Sequence, residues 1–583
     1  MSAEVGPRCG EALPALLEAY GVRHVFGIPG NHTLELYRGL GASGISHITT
    51  RHEQGAGFMA DGYARASGMP GVCFLISGPG LLNAATALGQ SLADSIPVLV
   101  VTAVAATQSL GKGLGELHEL PDQQAAASSF CRRSLHVDSP AMLIEQVATA
   151  FELFETKRPG PVHLQIPMDV MEQVLPLELL ESSIAAAKNR RDKGSRTMSK
   201  LDDTQRQALG AMVDALRNAS APLLLCGGGA VSAADQWCSV AEKLDLPVIT
   251  TSNAKGLMPP DHPLAVGGSP SLGCTRSALS KADVVLAVGT EFGETDYDLL
   301  MNGELDFAGK LLRIDIDEAQ LERNQNAELK LCADARSAAQ GFARDLDIAA
   351  GQSARAARSQ FGSPGAKRAQ MMRAEALDEP HWHPQMAEFF AAITRALGDT
   401  CVVGDSTRPT YYATWQYEPL RPRRYFHSVT GFGTLGYSIP AAFGAAVALD
   451  EPVLALIGDG GAQFTLTELA TAVDQKLSVT VLIWHNRGYE EIENSLRGRG
   501  VSQESTVISA PDFSLIARAY SVPFSAPETF SELETALRDH SAIDGPSIVL
   551  VQQDKLVTQP SGCLLYTSPS PRDATLSRMP SSA

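Results

Sequence analysis

Two stretches in the last third of the sequence carry residue types suited to a divalent cation. Asp459 stands in Gly458-Asp459-Gly460-Gly461, directly after the apolar run 453–457. Asn486 stands in His485-Asn486-Arg487-Gly488-Tyr489, directly after the apolar run 479–484. Each run reads as a buried parallel strand with turn residues at its end, and 465–474 between them reads as a helix. Two strand ends joined by a helix place Asp459 and Asn486 on one carboxyl edge of a sheet, where open α/β folds bind ligands. A carboxylate, an amide oxygen and a nearby backbone carbonyl form a hard-oxygen shell suited to Mg²⁺, leaving positions for water or the oxygens of a diphosphate. Gly-Asp-Gly alone equally describes a tight turn. The spacing to Asn486, with Gly488-Tyr489 following, narrows the reading.

Earlier in the chain, Arg51-His52-Glu53-Gln54-Gly55-Ala56-Gly57 opens a helix that continues through Asp61-Gly62-Tyr63-Ala64-Arg65. Its small residues at helical spacing allow close packing on a neighbour. Glu53 at the start is the carboxylate that the positive helix end favours in any protein. Ser77-Gly78-Pro79-Gly80-Leu81-Leu82-Asn83 follows a strand at 72–76 and reads as a strand-to-helix turn. Cys401-Val402-Val403-Gly404-Asp405-Ser406-Thr407 is another strand end, whose hydroxyls and amides suit phosphate oxygens. Gly431-Phe432-Gly433-Thr434-Leu435-Gly436 is a glycine loop before an alanine-rich helix.

Together these segments resemble the thiamine-diphosphate enzymes of the acetolactate synthase and 2-oxo-acid decarboxylase family, over nearly everything from Cys9 to about Gln559. The resemblance implies that Asp459, the side-chain oxygen of Asn486 and the carbonyl of Gly488 ligate Mg²⁺. Gly460, Gly461, Tyr489, Ser406 and Thr407 belong to the same diphosphate site. It makes Glu53 the catalytic carboxyl on N1′ of the aminopyrimidine, favouring the imino tautomer whose 4′-nitrogen removes the C2 proton. Gly78 and Asn83 lie beside the pyrimidine ring. Leu435 is the wedge that bends the cofactor, and the Gly433 carbonyl accepts from the 4′-amino group, building proximity into the ground state. The family usually has Asn where His485 stands, one residue before the expected ligand.

The formal net charge of −18 argues against a nucleic-acid or anionic-membrane partner. The nine cysteines are scattered, as in a cytoplasmic protein with reduced thiols. The first twelve residues lack a signal peptide's basic start and apolar core, and no apolar run spans a bilayer. With 583 residues the chain has room for several domains. The expected fold is α/β, with three doubly wound parallel-sheet domains: 1–175 for the pyrimidine, 200–350 in the centre and 380–562 for the diphosphate. Linkers are expected at 173–203 and 351–379. Gly227-Gly228-Gly229 in the central unit lacks the full dinucleotide fingerprint; some relatives hold FAD there, but the empty reading is favoured. The first and third units echo each other, each running from a glycine turn through a helix into an apolar strand. By resemblance the site forms between the first unit of one subunit and the third of another, in a homodimer or homotetramer. Residues from about Cys563 back-translate to a common sequencing-library adapter, so 563–583 are expected to be an artefact.

Three departures weigh against an acetolactate synthase. Leu117-His118-Glu119 replaces Phe-Gln-Glu, Met168 replaces Lys, and the segment after Gly488 lacks Gln-Trp. Pyruvate decarboxylase fits no better, since its glutamate aligns with Ile492 and its early aspartate with Asn31. Asn31 and His118 are retained as candidate catalytic residues; His118 is either a surface histidine or an acid/base near neutral pH. The stretches 27–38 and 117–123 look most like the 5-guanidino-2-oxopentanoate (2-ketoarginine) decarboxylases, which convert a small 2-oxo acid to 4-guanidinobutanal. A guanidinium substrate calls for a carboxylate fork, and Glu116, Glu119, Glu291, Glu294, Glu490 and Glu491 are the candidates. The alternatives are a carboligase joining pyruvate to a second 2-oxo acid and a non-catalytic binder on the same fold.

Overall fold

The computed structural model describes residues 6–192, 200–347 and 362–557; the segment 563–583 lies outside them. Three parallel sheets organise the chain. The first contains β1 (His24–Gly27), β2 (Ser46–Thr49), β3 (Gly71–Leu75), β4 (Val98–Val104), β5 (Arg133–His136) and β6 (Pro161–Pro167), in the order β2-β1-β3-β4-β6-β5. The second contains β7 (Leu223–Cys226), β8 (Val248–Thr250), β9 (Val284–Val288), β10 (Lys310–Asp315) and β11 (Leu329–Cys332), in the order β11-β10-β9-β7-β8. The third contains β12 (Cys401–Gly404), β13 (Tyr425–His427), β14 (Val453–Gly458), β15 (Val479–His485), β16 (Phe524–Ser525) and β17 (Ser547–Gln552), in the order β13-β12-β14-β15-β17-β16.

The first and third sheets share one topology, as the repeated glycine-turn, helix and strand pattern anticipates. Strands β3, β4, β6 and β9 are buried along their whole length. That explains their unbroken apolar runs, because parallel strands are covered by helices on both faces. In the first and third sheets the chain reverses its direction of travel at the second strand, so β1/β3 and β12/β14 flank topological switch points. Ligands of doubly wound sheets sit at such points, outside the carboxyl ends.

Two of the expected linkers contain helices. Leu177–Asp192 is helical, with only Leu180 and Ala187 buried, and Leu180 joins the core of the first unit. A helix with so few core positions leaves little periodic signal. Pro364–Ala376 is the second, capped by Ser363, whose side chain accepts from the Ala366 amide.

The contact that fixes the first unit against the third is a helix pair. Glu53–Ser67 packs along Ser438–Leu449 with almost every side chain of the former buried. A Cβ on Gly62 would lie 2.0 Å from the Ala441 carbonyl oxygen, and one on Gly444 would lie 1.9 Å from that of Met59. Each helix therefore seats a glycine on its neighbour's backbone. Among the described residues no helix is long and apolar enough to cross a membrane.

Candidate active site

The carboxyl ends of β12, β14 and β15 converge on one cavity. Its wall includes Ser406, Thr407, Gly433, Leu435, Asp459, Gly460, Gly461, Asn486, Gly488 and Tyr489, which are all the candidate residues of the third unit. Gly458 pairs in register with Trp484, so Asp459 and His485 stand side by side. The fully buried Asp459 accepts from the Gly460 amide (2.9 Å) and the Arg487 amide (2.8 Å), and His485 Nδ1 lies 2.8 Å from its Oδ2. Burial pushes its pKa up, against the Arg487 amide and His485.

Asn486 donates its Nδ2 to Glu490 Oε2 at 2.9 Å, which leaves Oδ1 buried without a hydrogen-bond partner. An orphaned amide oxygen beside a buried carboxylate is a costly arrangement on its own and the arrangement a hard cation would complete. Glu490 is fixed in turn by Arg408 (2.6 Å) and Gln553 (2.9 Å) on Oε1. Asp405, also fully buried, accepts the amides of Gly436 (3.3 Å) and Ser438 (3.0 Å) on the far side of Leu435. Burial pushes Asp405 up to about 6.

The residues of the first unit gather elsewhere. Glu53 is buried at its helix start, and Asn83 Nδ2 donates to its Oε2 at 2.9 Å. The start of that helix is held by a residue of the third unit. Glu468, fully buried, accepts the amides of Arg51 (3.0 and 3.1 Å) and His52 (3.0 Å). Gly78 adopts φ +61°, and a Cβ there would lie 2.5 Å from the His118 carbonyl oxygen. Only glycine tolerates both demands, and the close approach lays the His118 loop over the turn that leads to Asn83.

His118 itself has φ +63° and a buried Nδ1 without a partner. Its ring meets His32 edge-on at 5.0 Å, and His32 Nδ1 is 2.6 Å from Ser77 Oγ. Burial first, and then His118, hold the His32 pKa down. Asn31 is exposed at the start of the 3-10 turn Asn31–Thr33. His32 lies in the stretch 27–38 but was not singled out, and no sequence pattern marks Glu468; only the fold shows their neighbours. Within one chain the cavity lined by Asp459 and Asn486 is not lined by Glu53, Asn83, Gly78, His118 or Asn31.

The central unit closes the cavity of the third unit with Glu294, Thr295 and Asp298. Its glycine triplet has a packing explanation: a Cβ on Gly227 would lie 2.2 Å from the Gly289 carbonyl oxygen, where β7 and β9 end together.

Residues 7–126 match the N-terminal TPP-binding domain of thiamine pyrophosphate enzymes. Residues 209–342 match the central domain of those enzymes, and 405–551 match their C-terminal TPP-binding domain. The chain belongs to the thiamine-diphosphate enzyme family. It is 40% identical over 546 residues, 93% of each chain, to "Probable 2-ketoarginine decarboxylase AruI" of Pseudomonas aeruginosa. Acetolactate synthases are more distant: 29% over 571 residues for the "Probable acetolactate synthase large subunit" of Methanocaldococcus jannaschii, covering 95% of this chain and 93% of the relative. The isozyme 1 large subunit of Escherichia coli is 28% identical over 561 residues, 93% of each chain. This member of the family is therefore a thiamine-diphosphate enzyme of the 2-oxo-acid decarboxylase and acetolactate synthase group, with the three parallel α/β domains of that group. Small 2-oxo acids are the substrate class.

Proposed function

We propose that this enzyme decarboxylates 5-guanidino-2-oxopentanoate to 4-guanidinobutanal, with Mg²⁺ as the metal. The observation that carries the substrate is the 40% identity to a protein described as a 2-ketoarginine decarboxylase, against 28–29% for the synthases. Asp459, Asn486 Oδ1 and the Gly488 carbonyl would hold the metal, and Ser406 and Thr407 would meet the diphosphate. Bound thiamine diphosphate supplies the electron sink that lets a 2-oxo acid lose CO₂. Glu53, oriented by Asn83, would hold the proton at N1′ of the aminopyrimidine. The Gly433 carbonyl would take the hydrogen bond of the 4′-amino group against the Leu435 side chain. His118, with His32 against its ring, would give the product its proton, which separates decarboxylation from carboligation.

Glu53 and the metal residues line separate regions of one chain, while Asn83 and Leu82 beside Glu53 are exposed. That supports a homodimer or homotetramer in which each site takes Glu53 from one copy and Asp459 from another. The cysteines among the described residues are all free, which supports a cytoplasmic protein.

The candidate carboxylates for the guanidinium separate by their partners. Glu119 accepts the amides of Leu114, Gly115 and Glu116 and closes its own loop. Glu291 pairs with Arg158 at 2.7 Å, and Glu490 holds Asn486. Glu294, Glu490 and Glu491 line the cavity, whatever their partners, together with Asp298, which the sequence reading passed over. Burial, then repulsion from Glu294, pushes Asp298 up to about 6 against the pull of Arg276; a cation arriving between the two carboxylates would relieve their repulsion. Alanine at Glu294 or Asp298 should raise KM for ketoarginine at least tenfold and leave an uncharged straight-chain 2-oxo acid unaffected. If single alanine substitutions at all six glutamates and at Asp298 leave ketoarginine turnover intact, the guanidinium reading is wrong.

A further inference from the structure

The loop from Thr430 to Gly436 forms one wall of the cavity, with Gly431, Phe432, Gly433 and Leu435 lining it. Gly431, Gly433 and Gly436 all take positive φ, and a Cβ on Gly433 would meet nothing within 4 Å. A segment this rich in glycine depends on outside contacts to keep one shape, and it carries the carbonyl and the wedge that must be placed to within a fraction of an ångström. Its own unit holds it through Ser428, whose Oγ donates to the Thr434 carbonyl (2.7 Å) and whose carbonyl accepts the Gly433 amide (3.0 Å), and the first unit adds a second hold. Gln90, fully buried in the helix Pro79–Ala93, donates Nε2 to the Thr430 carbonyl at 3.1 Å and to Asp94 Oδ2 at 2.9 Å. Its Oε1 accepts from Thr434 Oγ1 at 3.1 Å. One amide thus grips both ends of the five-residue span whose fourth residue is Gly433. Neighbouring positions complete the seat: a Cβ on Gly89 would strike the Phe432 ring at 2.7 Å, and one on Gly431 would strike Ala93 Cβ at 2.7 Å.

We propose that Gln90 is a positioning residue for the reaction, setting the Gly433 carbonyl and Leu435 through the Thr430–Thr434 span. The same helix presents Asn83 to Glu53 near its other end, so in the proposed oligomer it links the wedge loop of one site to the carboxyl that serves the neighbouring one. The inference rests on the reading that Gly433 and Leu435 contact the aminopyrimidine. Its two parts are therefore tested separately.

Gln90→Met keeps the volume and removes donor and acceptor; Thr434→Val removes only the hydroxyl and serves if the first variant folds poorly. In the cofactor-free chain, amide hydrogen exchange across 430–437 should accelerate about tenfold, since local opening tracks the lost bonds. Exchange in β14 and β15 should stay unchanged. With thiamine diphosphate and Mg²⁺ present, kcat should fall roughly 10- to 100-fold, the scale of a 1 Å misplacement, with KM for the 2-oxo acid and cofactor affinity within about threefold. Unchanged exchange in the loop would overturn the brace. Faster exchange with kcat within twofold of the parent would overturn the positioning role while leaving the brace.

Discussion

Replacing Gly62 by alanine should separate the two units that carry the site. The added methyl would lie 2.0 Å from the Ala441 carbonyl oxygen, 2.6 Å from its carbon and 2.8 Å from its Cα. Ordinary contact begins near 3.4 Å, so the helices Glu53–Ser67 and Ser438–Leu449 must part by roughly 1.4 Å at this point, or one must bend. Every atom met is backbone, so no side-chain rotation relieves the clash. The cost belongs at the upper end of the overpacking range, about 3 kcal/mol. The displacement is carried to Glu53 at one end of the first helix and to the Leu435 loop before the second. Activity should therefore fall about 100-fold in the protein that remains folded. Gly210→Ala is the matched control: it lies inside the helix Asp203–Arg217 with nothing within 4 Å of the new methyl, and should stabilise by about 0.5–1 kcal/mol. Denaturant unfolding and kcat on the two variants decide the matter. A Gly62→Ala protein that unfolds with the parent and keeps its kcat would refute the packing argument.

Further outcomes follow from the same geometry. Glu53→Gln should lower kcat by about 10²- to 10⁴-fold, the scale of acid–base catalysis, with cofactor binding retained; a loss under tenfold would displace Glu53 from its role. Glu490→Ala removes the acceptor that turns Asn486, and should weaken Mg²⁺-dependent cofactor binding about 10- to 100-fold, read by fluorescence titration against metal. Unchanged metal dependence would remove Glu490 from the site. The fully buried His163 lies between Thr102 Oγ1 (2.8 Å) and Ser134 Oγ (2.8 Å), and burial pushes its pKa down to about 3 from 6.5. The unfolded chain takes the proton first, so this stability is complete above pH 6.5 and is lost as pH falls, by about 1.4 kcal/mol per unit. His163→Gln should show the flatter stability profile between pH 6.5 and about 4.5; parallel profiles would contradict the assignment.

The strands, and the meeting of Asp459 and Asn486 on one cavity, were legible because their signals are local. Each apolar run ends at its own turn, and Asp459 and Asn486 each follow a strand directly. The parts that were not legible depend on partners far away in the chain. Glu468 holds amides 416 and 417 residues earlier, and Gln90 holds a carbonyl 340 residues later. The helix Leu177–Asp192 escaped because it buries only two side chains, too few to set a period. The six candidate glutamates could not be ranked by residue type. The fold separates them: Glu119 closes its own loop and Glu291 pairs with Arg158, whereas Glu294, Glu490 and Glu491 line the cavity with Asp298.

The most direct test is CO₂ release by the full chain, with thiamine diphosphate and Mg²⁺, from ketoarginine and from pyruvate in parallel. The account predicts rapid release from ketoarginine, with 4-guanidinobutanal as the product and no carboligation. Pyruvate turned over to acetolactate while ketoarginine stays inert would contradict it and make the enzyme a synthase with an altered pocket.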